Sequence, residues 1–126
     1  MLAVCLLVQS DSGKILLRKR TKIPDEGKWE LFGTYVQEQE LLQESVMRIL
    51  QSKAQIYSPE VSIKFTGKYY DSVDRHPGAR CVPLVFTAHI AEKEVLTHET
   101  LQWFALNEVN SLDVALDNAQ IIAENT

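Results

Sequence analysis

The chain is poor in the residues that staple or punctuate small folds: two cysteines, four prolines and five glycines in 126 residues. Cys5 and Cys81 each sit in an apolar, strand-like run, without CxxC spacing or Cys/His clustering. That argues against a disulfide framework and against zinc, and predicts two buried, reduced thiols in a cytoplasmic protein. His76, His89 and His98 show no ligand spacing. No apolar run approaches the ~20 residues of a membrane span. The longest, Met1 to Val8, has no basic residue before it and no small-residue cleavage site after it. It reads as a buried strand, not a signal peptide, and no membrane partner is expected. The immediate start of that strand leaves open a short missing segment upstream. Positive charge is also scarce, with thirteen Lys and Arg against seventeen Asp and Glu, a formal charge of −4. That balance suits the polyanionic backbone of DNA or RNA poorly, so no nucleic acid partner is expected; local basic groups could still hold a small anion.

What remains is ordinary globular composition, 45% apolar and 24% charged, enough for one domain over 1–126 and too short for two. Leu2 to Gln9 and Lys14 to Lys19 flank turn residues Asp11-Ser12-Gly13 and read as a β-hairpin. Thr21 to Lys28 is a loop, and Trp29 to Val36 a short extended segment broken by Gly33. Glu40 to Ala54 lacks Gly and Pro and repeats Leu42, Val46 and Leu50 every four residues, which predicts a helix with one apolar stripe. Glu44 and Arg48 are spaced as an i,i+4 ion pair on it, and Ser58-Pro59 ends that region. Strands are predicted over Val61 to Tyr70, Cys81 to Ile90 and Leu101 to Leu106, with a polar loop from Asp71 to Ala79. A closing helix runs from Asp117, its expected N-cap, to Glu124. Strands, helix, strands, helix give an α/β (α+β) fold, a mixed β-sheet between helices in an α/β/α sandwich.

Gly27-Lys28-Trp29, Leu31, Gly33, Val36, Glu40, Leu42 and Arg48 together resemble the Nudix box, the signature of the Nudix hydrolase superfamily. Lys14 to Arg20 resembles the strand that precedes the box. Tyr70 to Pro77 and Ala115 to Ile122 resemble segments of the ADP-ribose pyrophosphatase-type subgroup. The resemblance covers nearly the whole chain. It implies the Nudix sandwich, a small nucleotide-like ligand such as ADP-ribose, a homodimer and, in an active enzyme, Mg²⁺ or Mn²⁺ for pyrophosphate hydrolysis.

The box is degenerate. The family places glutamates directly after the Arg and three and four residues further on, one helix face of carboxylates for a divalent ion. Those positions are Ile49, Ser52 and Lys53 here. A lysine about 4 Å from a dication at an effective dielectric near 20 would be repelled by roughly 8 kcal/mol before screening. Family glycines are replaced by Thr34, Gln39 and Gln55, which predicts a backbone that leaves the family's path around a phosphate.

Three readings stay open. The first is a nucleotide-binding or regulatory pseudoenzyme without a metal cofactor, in which Lys53 meets a pyrophosphate and Arg20, Trp29 and Arg75 are further ligand-binding candidates. The second is an interaction or dimerisation domain, with Ile49 as an apolar group on the former catalytic face. The third is a hydrolase with a rearranged site, in which Glu40, Glu44 and Glu99 would have to hold the metal and Arg48 could orient a catalytic group; by the resemblance, Glu99 also sits where some family members place a general base. Each candidate also has a structural reading: Glu40 as a helix-start carboxylate, Arg48 as the partner of Glu44, Glu99 and Arg75 as solvated loop charges, Trp29 as core.

Overall fold

The apolar run Leu2–Ser10 forms β1, the spine of the sheet. It turns through residues 11–14, where Gly13 takes a φ of 84° and Ser10 N–H donates to Lys14 O at 2.9 Å, into β2 (Ile15–Lys19). The two strands pair antiparallel as the hairpin expected from sequence. The computed structural model describes residues 1–57, 61–74 and 81–126; the predicted helix end at Ser58-Pro59, and the candidate Arg75, lie outside them.

Chain order continues with β3 (Trp29–Glu30), β4 (Phe32–Tyr35), α1 (Leu42–Lys53), β5 (Ser62–Tyr69), β6 (Val82–Ile90), β7 (Leu101–Phe104), α2 (Leu106–Val109) and α3 (Asn118–Asn125). The main sheet runs β3-β2-β1-β6-β5, with β4 also paired to β1 and β7 to β2. β1 and β6 are parallel, from Leu2 opposite Val82 to Ser10 opposite Ile90. The other strand pairs are antiparallel, so the sheet is mixed as predicted.

Side-chain alternation along β1 builds both faces. Val4, Leu6 and Val8 join Leu16, Phe32 and the α1 residues Val46, Ile49 and Leu50 in one apolar cluster. Cys5 and Leu7 join Ile15, Leu17 and the α3 residues Ile121 and Ile122 in the other. Helices thus cover both faces, which is the sandwich. Among the described residues no helix is long and apolar enough to cross a membrane.

Element ends differ from the sequence reading where single contacts decide them. The helix starts at Leu42, not Glu40, because Gln39 takes a φ of 68° and Leu41 is extended. It closes through Gln55 at φ 55°, with Ile56 N–H donating to Leu50 O at 2.9 Å. Gln39 and Gln55 therefore keep a glycine-like backbone although they lack glycine, contrary to the departure expected of them. Asp117 flanks α3 but makes no side-chain cap bond. The single turn α2 follows β7 where the sequence reading continued a strand to Leu106.

Candidate functional site

Alternation also decides which polar groups meet. Arg18 on β2 and Arg20, one residue past its end, are two apart, and Arg18 shares its side with Leu16, the α1 side of the sheet. Glu30 lies opposite Arg18 in the β2–β3 register. Its carboxylate bridges the two arginines, Oε1 to Arg20 Nη1 at 3.0 Å and Oε2 to Arg18 Nε at 3.6 Å. Arg20 Nε also donates to Pro24 O at 2.6 Å, which ties the 21–28 loop to the strand.

These side chains line a cleft of about 430 Å³ between the C-terminal end of α1, the strands β1 to β4 and the loop 21–23. Lys53 enters it from the last turn of α1 and donates through Nζ to Gly33 O. Lys22 is also in the lining. Arg18, Arg20, Lys22 and Lys53 thus face one carboxylate, Glu30, in an otherwise uncharged lining. Lys53 is exposed as a residue, but desolvation of its ammonium, reinforced by Arg18, Lys22 and Arg48, pulls its pKa below the usual lysine value against the opposing pull of Glu30. An anion entering the cleft would relieve that unfavourable clustering.

The residues of the box that match the family's pattern form a clamp around Arg48. Arg48 donates from Nε to Glu40 Oε2 and from Nη2 to Glu40 Oε1, both at 2.9 Å, a bidentate pair. Further bonds reach Thr34 Oγ1 at 3.2 Å and Tyr35 O at 3.0 Å, so Arg48 ties α1 to β4 and to the turn before the helix. Glu40 Oε1 also accepts Gln37 N–H at 3.0 Å. The Arg48 guanidinium, then that amide, hold the Glu40 carboxyl down at about 2. Glu44 is not the partner of Arg48, as its spacing suggested; its Oε1 accepts Leu41 N–H at 2.8 Å and caps the helix start.

The three positions where the family holds metal ligands are placed apart by chemistry. Ile49 is 1% exposed and belongs to the core under the sheet, so it does not cover an open face. Ser52 Oγ donates to Arg48 O at 2.6 Å. Lys53 is one of the four cations lining the cleft. Glu40 is engaged by Arg48 and by Gln37 N–H, and Glu44 by the helix start. Among the described residues no three His, Cys, Asp or Glu side chains converge as metal ligands.

Glu99 stands on the exposed turn before β7 and does not line the cleft. Nor does Trp29, which packs edge-on against Phe104 at 4.8 Å with Lys19 over its ring at 5.4 Å. Cys5 is buried, as expected, but Cys81 is only half-buried, and both line the cleft. Sequence reasoning found Arg20 and Lys53 and missed Arg18, Lys22 and Glu30. The signal was there for Arg18 and Arg20, whose i,i+2 spacing along and just past an extended segment puts both on one face.

The NUDIX domain family model matches residues 1–124. Among solved structures, the NUDIX domain of Shewanella oneidensis NrtR complexed with ADP ribose matches at 23% identity and a TM-score of 0.82, covering 98% of this chain and 84% of that one. Shewanella oneidensis NrtR complexed with a 27mer DNA matches at 23% and 0.79, covering 98% of this chain and 59% of that longer one. A mutT/nudix family protein from Listeria innocua matches at 19% and 0.79, covering 98% and 89%. No curated protein matches. At such identities these likenesses show the fold. They also correct one expectation: with a neighbour crystallised on DNA, a net charge of −4 does not exclude a nucleic acid partner. The family match over nearly its full length, on a mixed sheet covered by helices on both faces, makes this chain a member of the NUDIX domain family.

Proposed function

We propose that this domain binds a nucleoside-diphosphate-linked ligand of the ADP-ribose kind in the cleft and does not hydrolyse it. The observation that carries the reading is the charge of the lining, four cations against Glu30 in a chain of net charge −4. Each arginine has five N–H donors, and the contacts to Glu30 and Pro24 use few of them. The remainder suit the oxygens of a diphosphate, with Lys53 as a point charge beside them. The cleft's apolar members, among them Ile23, Phe32 and Leu116, suit the uncharged parts of such a ligand. The ADP-ribose found on a structural neighbour of the same fold supports this class.

The loss of hydrolysis follows from the donor set. Pyrophosphate hydrolysis in this family has a metal generate the nucleophile and neutralise developing charge. Ile49, Ser52 and Lys53 offer no carboxylate for it, and Glu40 is committed to Arg48. A domain that retains its ligand unchanged suits a sensor whose output lies in a partner or a further segment.

Calorimetric titration with ADP-ribose in EDTA, repeated with Mg²⁺, tests the reading. Saturable binding of the same affinity in both buffers is expected. Binding that requires the metal, or none in either buffer, would overturn it.

A further inference from the structure

The end of the cleft formed by the residues that lead into α3 holds a second polar element. Asn118, the first residue of α3, is 6% exposed and lines the cleft. Its Oδ1 accepts the N–H of Leu31 at 2.8 Å, a buried bond. Only the oxygen end can accept, so that contact fixes which end of the amide meets Leu31 and leaves the Nδ2 donors at the other end. Nδ2 has no acceptor among the described residues. It is not one of the fully buried polar atoms without partners, which among the described residues are Trp103 Nε1 and Asn125 Oδ1. A nearly buried amide with one end locked and the other unused is a preorganised donor.

Its surroundings are held in place as well. Leu116, also in the lining, takes a left-handed φ of 52°, and its N–H donates to Asp25 Oδ2 at 2.8 Å. Asp25 is itself left-handed at φ 67° and pairs with Lys28 at 3.3 Å. Leu116 and Asn118, the members of this segment that line the cleft, are both uncharged, while Asp113 and Asp117 of the same segment are not in the lining. The two lining residues suit an uncharged group of the ligand.

We infer that Asn118 is a specificity-determining residue whose Nδ2 donates to an acceptor on the uncharged half of the ligand, while the diphosphate rests on Arg18, Arg20, Lys22 and Lys53. The inference rests on the cleft being the ligand site. The acceptor is a ring nitrogen of a nucleobase or an oxygen of a ribose, and the test separates them.

Asn118→Asp keeps an oxygen for Leu31 N–H, keeps the size and replaces the donor. Affinities of wild type and variant are measured by calorimetry at pH 8 for ADP-ribose, ADP, ribose 5-phosphate and inorganic pyrophosphate. Pyrophosphate carries neither a nucleobase nor a ribose, so it reports the general effect of the added charge. The expected result is that the preference for an acceptor-bearing ligand over pyrophosphate falls about tenfold in the variant, the scale of one lost hydrogen bond. A fall shared by ADP and ADP-ribose assigns the acceptor to the adenosine end. A fall confined to ADP-ribose and ribose 5-phosphate assigns it to the terminal ribose. An unchanged preference with intact binding would overturn the role of Asn118 alone. Failure of wild type to bind any of the four would overturn this role and the proposed function together.

Discussion

Replacing Ile49 by glutamate would restore, on paper, the first carboxylate of the Nudix box. The structure gives the opposite expectation. Ile49 is 1% exposed and packs in the cluster with Val4, Leu6, Phe32 and Val46. A carboxyl there would stay neutral in the folded state, its pKa raised to about 8 as for other buried glutamates, against about 4.3 unfolded. At pH 7 the unfolded chain releases that proton and the folded chain does not. At about 1.36 kcal/mol per unit this costs the fold about 4 kcal/mol, before any loss of packing. At pH 5 the same contribution shrinks to about 1 kcal/mol, because the unfolded carboxyl is then close to its own pKa. A domain this size has roughly 5–15 kcal/mol to lose. Urea unfolding of wild type and I49E at both pH values measures the difference. A cost below about 1 kcal/mol, equal at the two pH values, would refute the placement of residue 49 in the core and return it to the cleft wall.

Other expectations follow from single contacts. Gln55→Gly relieves a left-handed residue and should raise stability by about 1 kcal/mol, about 3–5 °C in a thermal melt. Glu40, held at about 2 by Arg48, contributes stability that is complete above its unfolded pKa near 4.3 and is lost as pH falls toward 2. Acid unfolding should therefore show wild type ahead of Glu40→Gln at pH 5, with the gap closing below pH 3. Lys53 is partly desolvated, so its charged form burdens the ligand-free fold, and that burden lifts as pH rises through its lowered pKa. Lys53→Gln should weaken pyrophosphate binding about tenfold while leaving the melting temperature within about 3 °C. In wild type the affinity for pyrophosphate should fall at alkaline pH, where Lys53 loses its proton; an affinity flat with pH would remove Lys53 from the anion site.

The layers of the fold were legible because they rest on periodicity: the strand β1, the stripe of α1 and the hairpin turn at Gly13 each announce themselves locally. The site was legible only in part. Lys53 stood out by replacing an expected carboxylate, but Glu30 is an ordinary strand residue until the β2–β3 register sets it against Arg18 and Arg20. The i,i+4 rule paired Arg48 with Glu44, yet Glu40, outside the helix, won because Gln39 turns the backbone back toward Arg48. Loss of glycine at residues 39 and 55 suggested a changed path, and the backbone kept positive φ at both. Asn118 could not be found from sequence, since its partner Leu31 is 87 residues away.

The central claim is a cleft that holds a nucleoside-diphosphate-linked ligand and leaves it intact. The direct measurement is mass spectrometry of ADP-ribose incubated with the domain and excess Mg²⁺ or Mn²⁺, at ligand concentrations that calorimetry shows to be saturating. The expected result is unchanged ADP-ribose over many hours. Release of AMP and ribose 5-phosphate at turnover rates near 1 s⁻¹, in the ordinary enzyme range, would contradict the account and point to a hydrolase with a rearranged site.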